Sequence, residues 1–246
     1  MNKADLHIHT RCSDGLGTTE QVLEYVEHET DLAVIAVTDH EDATGGLRAR
    51  ELAAKRNYRF EVVVGAEITT LQGHLLGLFI EAAPKSFRHV ESALDMIHAQ
   101  GGVAIVPHPM SWLTRSLSER TIDRVCRRNE PGVTFDGIEV ANPSPAGKLT
   151  AAKAVRMNER WGLAATGSSD AHHLPHIGTG WTEFTGDGAD ALKRALLNRT
   201  TMARRSAYPS MREVGYGKLV LGLAWGYAAT PRKMLSWRSN GSGRRR

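Results

Sequence analysis

A chain of 246 residues with 41% hydrophobic and 24% charged residues has the balance of a folded globular protein, which excludes a disordered or fibrous one. No apolar run reaches membrane-spanning length, and Asp5-Leu6-His7 follows the first residue too soon for a signal peptide, so a cytoplasmic setting is expected. The net charge of +4 divides into an excess of nine positive charges from Ala203 onward and an excess of five negative charges before it.

Apolar runs and amphipathic stretches then alternate along the chain. A strand is expected at 3–7, a helix at 19–29, a strand at 33–38, a helix at 44–57, and strands at 61–65 and 74–79. A helix follows at 88–100, a strand at 103–106, a helix at 118–128, a strand at 137–140 and a helix at 148–161. Strands at 163–166 and 178–183 and a helix at 188–198 complete the series, with Gly101-Gly102 and Gly162 as helix stops. Such alternation predicts a parallel sheet with helices outside, and about seven units suggest closure into a barrel. An open doubly wound sheet would need a glycine fingerprint after the first strand, where Thr10-Arg11-Cys12-Ser13-Asp14-Gly15 stands instead. The expected organisation is one domain over residues 1–200 and a short basic C-terminal appendage over 201–246. In the appendage an apolar stretch at 218–227 would pack on the barrel or a partner, and the end would be disordered. The basic tail fits either nucleic-acid contact or a solvated terminus.

Metal-binding side chains gather at the ends of the expected strands: His7 and His9, Asp39 and His40, His108, Asp170 and His172. Alternate residues of a strand share a face, so His7 and His9 can chelate one ion, as can Asp170 and His172. Carboxylates mixed with imidazoles suit Mn, Fe or Zn, and several pairs suggest a cluster of ions. Clustered divalent ions make a hydroxide nucleophile and clamp a phosphoryl group, so the chain reads as a metallohydrolase. Asp14, Glu67, His74 and Glu139 are further candidates, although His74 opens a strand rather than ending one. Asp39 suits an orienter of a ligand histidine, and Glu139 either a site residue or a barrel residue bonding a neighbour. His28, His89 and His98 fall on helices and read as structural, while His173 and His176 suit substrate contact or a surface loop. Cys12 and Cys126 form no motif and are expected reduced and structural.

Taken together, several blocks resemble the polymerase and histidinol phosphatase (PHP) family over residues 1–200, in order and in spacing. They are Asp5-Leu6-His7-Ile8-His9-Thr10, Ser13-Asp14-Gly15, Thr38-Asp39-His40, Gly65-Ala66-Glu67, His74-Leu75-Leu76-Gly77-Leu78, Pro107-His108-Pro109, Gly137-Ile138-Glu139-Val140-Ala141-Asn142 and Gly167-Ser168-Ser169-Asp170-Ala171-His172. The resemblance implies an α/β fold, a distorted TIM-like (β/α)7 barrel, with two or three divalent ions at the carboxyl ends of its strands. It implies that His7, His9, Glu67 and Asp170 hold one ion, that Glu67 bridges to a second with His108 and His74, and that Asp14, His40 and His172 hold a third. The blocks are most similar to small stand-alone members that act on nucleotides with two phosphates or trim short RNA from the 5′ end. Phosphoester hydrolysis is the implied activity, on a phosphorylated small molecule, nucleotide or short RNA. Glu67, Asp39 and His40 are its candidate catalytic residues: Glu67 bridges the ions that activate water, and either a metal-bound water or Asp39 protonates the leaving group. Arg115 and Lys148 are candidates to grip a second phosphate. Two alternatives stay open, a carbamate or ester hydrolase on the same fold, and a nucleic-acid or partner-binding module that metals only stabilise.

Overall fold

The expected runs fold as β1 (Asn2–Ile8), α1 (Thr19–Glu29), β2 (Val34–Val37), α2 (Thr44–Arg56), β3 (Glu61–Thr69), β4 (His74–Leu78), α3 (Val90–His98) and β5 (Val103–Val106). They continue as α4 (Glu119–Arg128), β6 (Gly137–Ala141), α5 (Pro145–Trp161), β7 (Ala164–Gly167), β8 (Gly180–Phe184), α6 (Gly188–Leu197) and β9 (Met202–Arg205). This is a computed structural model, and it describes residues 1–128 and 130–209. The expected apolar stretch at 218–227 and the basic end lie outside the described residues. Among the described residues no helix is long and apolar enough to cross a membrane.

All nine strands join one sheet in the order β7-β6-β5-β4-β3-β2-β1-β8-β9. The sheet is mixed rather than purely parallel, because β4 runs antiparallel to both β3 and β5, and β8 antiparallel to β1. No crossover helix separates β3 from β4; the chain turns directly at residues 70–73, so the returning strand must reverse direction. Curvature brings β7 back to the other side of the sheet. Gly167 N donates to Thr182 Oγ1 of β8 at 3.0 Å, and beyond β7 a lone parallel bridge pairs Ala171 with Ile8. The result is a distorted TIM-like barrel.

Two features lay beyond the pattern in the sequence. Helix α5 starts three residues before the expected 148, since Ser144 caps it by accepting from Gly147 N at 3.3 Å and Pro145 takes the first position, where its missing N–H costs nothing. Strand β9 extends the sheet after the alternation stops; its Met-Ala-Arg-Arg sequence has no apolar period because only its pairing with β8 makes it a strand.

Inside the barrel, Leu6, Val34, Ala36, Val63, Leu76, Leu78, Val103 and Ile105 pack with Leu192 and Leu196 of α6. That helix lies at the amino ends of the strands, where Ala189 N donates to Glu61 at the start of β3. The barrel is thus plugged with hydrocarbon at one mouth, and its polar side chains collect at the other.

Candidate metal centre

Local pairing carries each ligand candidate to that polar mouth. A register shift in β1 between Asp5 and Ile8 marks a bulge, which re-aims the following side chains. His7 and His9 then sit with ring centroids 5.0 Å apart. The bridge between Ile8 and Ala171, made by His9 N to Ala171 O at 2.9 Å and Ala171 N to His7 O at 3.1 Å, lays Asp170 and His172 beside them. A second lone bridge sets His40 against Glu67. The antiparallel course of β4 explains why His74 opens its strand and still reaches the site: its first residue pairs with Thr69, the last of β3. Asp170 and His108 adopt positive φ of 55° and 28°, the kind of backbone tension that concentrates at functional sites.

The structure brings together all nine metal candidates: His7, His9, Asp14, His40, Glu67, His74, His108, Asp170 and His172. They form four overlapping groups, His7/His9/Asp170, His7/Glu67/His108, His40/Glu67/His74 and His9/Asp14/His40/His172, whose donor atoms lie within 4.8 Å of one another in each group. Glu67 spans the centre with separate oxygens. Its Oε2 lies 3.1 Å from His7 Nε2, 3.3 Å from His9 Nε2 and 3.5 Å from His40 Nε2. Its Oε1 lies 2.7 Å from His74 Nδ1 and 3.1 Å from His108 Nε2. Asp14 Oδ2 lies 3.2 Å from His172 Nε2 and 3.6 Å from His40 Nε2.

These residues fit divalent cations on two observations. Two ligands, each about 2.1 Å from a tetrahedral ion, stand about 3.4 Å apart, close to the separations above. In addition, His9 Nε2, His74 Nδ1 and Asp14 Oδ1 are buried without any hydrogen-bond partner, although opposite charges lie near. Such atoms point at a shared centre rather than at one another. The electrostatics agree. Burial opposes charge on His7, His9, His108 and His172, yet the carboxylates outweigh it and all four are pushed up, His9 to about 10 through Asp170 and Glu67. At His40 burial prevails, and its pKa falls to about 4. Burial would raise Glu67, Asp14 and Asp170, but the imidazoles facing them hold all three below the usual carboxylate range. The pocket therefore demands positive charge, which a bound cation supplies.

Glu139 bonds a neighbour rather than joining the cluster. Its Oε1 accepts from His7 Nδ1 at 2.9 Å and from the Ser168 hydroxyl, and its Oε2 accepts from His108 N at 2.7 Å and Asn142 Nδ2 at 2.8 Å. It thereby keeps the proton on His7 Nδ1 and turns the Nε2 lone pair to the centre. Ser116 does the same for His108, Nδ1 to Oγ at 2.9 Å, and Ser144 steadies Asp170 Oδ2 at 3.1 Å. Of these partners the sequence marked only Glu139 as a candidate. Ser168 stands in the Gly-Ser-Ser-Asp block, but Ser116 and Ser144 come from loops with no local signal.

The leaving-group role expected for Asp39 finds no support in its surroundings. Its carboxylate is fully buried and accepts from Thr10 N at 2.8 Å, Thr10 Oγ1 at 2.7 Å and Ser13 Oγ at 2.6 Å. It orients the loop that carries Asp14, not a ligand histidine directly. Arg115 and Lys148 are exposed and stand outside the ligand groups. Arg115 nevertheless borders the centre, because its carbonyl accepts from His74 N at 2.7 Å. A cleft of about 480 Å³ lined by Ala53, Phe60, Val62, Val64, Phe79 and Ala189 lies near the amino end of β3 and includes none of the candidate ligands.

A family model described as PHP-associated matches residues 150–201. An uncharacterized protein of Methanocaldococcus jannaschii is 35% identical over 152 residues, covering 57% of this chain and 81% of that one. The chain belongs to the PHP family. The 3′,5′-nucleoside bisphosphate phosphatase of Chromobacterium violaceum is 39% identical over 88 residues, and the 5′-3′ exoribonuclease of Salmonella typhimurium is 33% identical over 88. Each of those alignments covers 34% of this chain and 30% of the relative, so the chain spans less than a third of either protein. A two-domain protein from Bacteroides vulgatus containing a predicted PHP-like metal-dependent phosphoesterase superimposes with a TM-score of 0.66 at 21% identity, over 83% of this chain and 64% of that one. This last likeness concerns the fold alone.

Proposed function

We propose that this PHP protein hydrolyses phosphate esters of nucleotides or short RNA, with two or three Mn, Fe or Zn ions held by the nine converging donors. The observation that carries the reading is Glu67, whose two oxygens face different histidine sets and can therefore join adjacent ions. Divalent cations held there would supply an acidified water and neutralise phosphoryl oxygens. His7, His9 and Asp170 form one ligand set, His74 and His108 a second, and Asp14, His40 and His172 a third. Glu139 and Ser116 hold the lone pairs of His7 and His108 on the centre. The His172 side chain is 33% exposed, against 14% or less for Asp14, His40 and Asp170, so the phosphate enters on the His172 side. Arg115, on the loop bonded to His74, and Lys148, in the first turn of α5, are the cations proposed to grip a further phosphate.

Two curated relatives act on nucleoside bisphosphates and on RNA, which favours these substrates over amino-alcohol phosphates. The test is phosphate release by Mn-loaded protein from adenosine 3′,5′-bisphosphate and from short 5′-phosphorylated RNA, with naphthyl carbamates as the competing class. Turnover of nucleotides that is lost in Asp170→Ala together with bound metal is expected. Turnover of carbamates alone would overturn the proposal.

A further inference from the structure

Large apolar side chains exposed one at a time need no explanation, but exposed ones gathered at the mouth of a site do. Nine are exposed among the described residues, and four of them, Leu71, Phe87, Trp112 and Leu113, belong to the segments beside His74 and His108. Trp112 is the most open, at 79%. It stands four residues after His108, so its backbone lies within about 14 Å of that ligand.

The loop bearing Trp112 is fastened to both ligands of the second metal set. At one end Met110 N bonds Leu117 O at 3.0 Å, and Ser116 holds the His108 ring at 2.9 Å. At the other, His74 N bonds Arg115 O. The turn at residues 70–73 presses against the same loop: Gly73 has φ of 150°, and a Cβ there would meet Leu117 N at 2.5 Å. Its neighbour Leu71 is tied to Arg88, and Phe87 to Thr69, through backbone bonds of 2.9 and 2.7 Å. Arg115 lays its guanidinium 5.9 Å from the Phe87 ring and donates to Thr70 O at 3.4 Å. The loop bonded to His74 and His108 therefore carries an exposed indole and a cation.

We propose that Trp112 is a specificity-determining platform on which the base of a nucleotide stacks while its phosphate occupies the metal centre, with Arg115 flanking the sugar-phosphate. This rests on the nucleotide reading above. An aromatic face accepts any base, so the platform selects for nucleotides over base-free phosphates without choosing among sequences.

The test compares KM for adenosine 3′,5′-bisphosphate with KM for the base-free ribose bisphosphate in Mn-loaded wild type, Trp112→Ala and Trp112→Phe. Loss of one stacked base costs about 5- to 150-fold, so the nucleotide-to-base-free KM ratio should rise about fivefold or more in Trp112→Ala and largely recover in Trp112→Phe. Leu197→Ala, at an exposed leucine on α6, should leave the ratio where it is in wild type. Equal KM changes on both substrates, or none, would overturn the platform. Should wild type fail to turn over nucleotides, the functional reading falls by itself. Equilibrium binding of adenosine 3′,5′-bisphosphate to the loaded protein then decides the platform: binding weakened by Trp112→Ala upholds it, and binding indifferent to the substitution overturns it.

Discussion

Replacing Glu139 by glutamine changes one atom and should move a proton on His7. Four donors meet the carboxylate, the His7 ring and the Ser168 hydroxyl at Oε1, and the His108 N–H and the Asn142 amide at Oε2. A glutamine must set its NH2 at one of these two positions. At the Oε2 position the NH2 would oppose a backbone N–H that cannot turn, and an Asn142 amide whose oxygen already accepts from Ser144 N at 2.9 Å, leaving donors unsatisfied at about 1–3 kcal/mol each. At the Oε1 position Ser168 can rotate to accept, and His7 can accept at Nδ1 if its proton moves to Nε2. The second arrangement is therefore preferred, and it places hydrogen where the ion needs a lone pair. Fold stability should drop by only about 1 kcal/mol. Metal affinity should fall about 10- to 100-fold, the usual effect of losing an outer-sphere partner. Chelator-competition titration gives the affinity and a thermal melt of the metal-free protein gives the stability. Wild-type metal affinity in Glu139→Gln, with the fold intact, would refute the tautomer argument.

Asp39→Ala strips buried Thr10 N–H of its acceptor and should cost about 1–3 kcal/mol in a thermal melt. The basic limb of its pH–rate profile should stay in place, since a carboxylate buried in that loop delivers no proton to a leaving group; disappearance of the limb would restore the role expected from sequence. His9 serves two ligand groups and His108 one, so elemental analysis should find more metal lost from His9→Ala than from His108→Ala, and equal losses would contradict the sharing. On α3, the bond to Asp136 at 2.9 Å, helped by the Gly132 carbonyl, raises the pKa of His98 against partial burial. Its stabilisation is then present in full below the unfolded value of about 6.5 and fades as pH rises through the folded one, so the melting gap between wild type and His98→Gln should be wider at about pH 5.5 than at about pH 9. A constant gap would exclude the linkage.

The candidate ligands were legible because each sits in a short polar block that interrupts an apolar run, and such a block must find partners or a cation. Barrel closure was legible from the alternation of strand and helix. The direction of β4 was not, since nothing within His-Leu-Leu-Gly-Leu records which way a strand runs; only the missing helix between β3 and β4 hints at it. Glu139 and Asp39 show the limit at the site itself. Asp39 follows an apolar run and Glu139 interrupts one, so both look like site candidates in sequence, yet one faces a loop hydroxyl and the other a ligand ring. Trp112 carries no periodic signal, and its significance depends on two loops meeting at Gly73.

Sharing of donors sets how this centre can be loaded. Glu67, His7, His9 and His40 each belong to two groups, so adjacent ions would share donors. The carboxylates favour the protonated form of His7, His9, His108 and His172 despite burial. Binding an ion therefore exchanges protons for a divalent charge on a scaffold already assembled by the Ile8–Ala171 and His40–Glu67 bridges. Affinity must then rise with pH through the range in which those imidazoles release their protons. The hydrocarbon plug at the opposite mouth contains no titratable group, so substitution of a single ligand is expected to cost metal before it costs the fold.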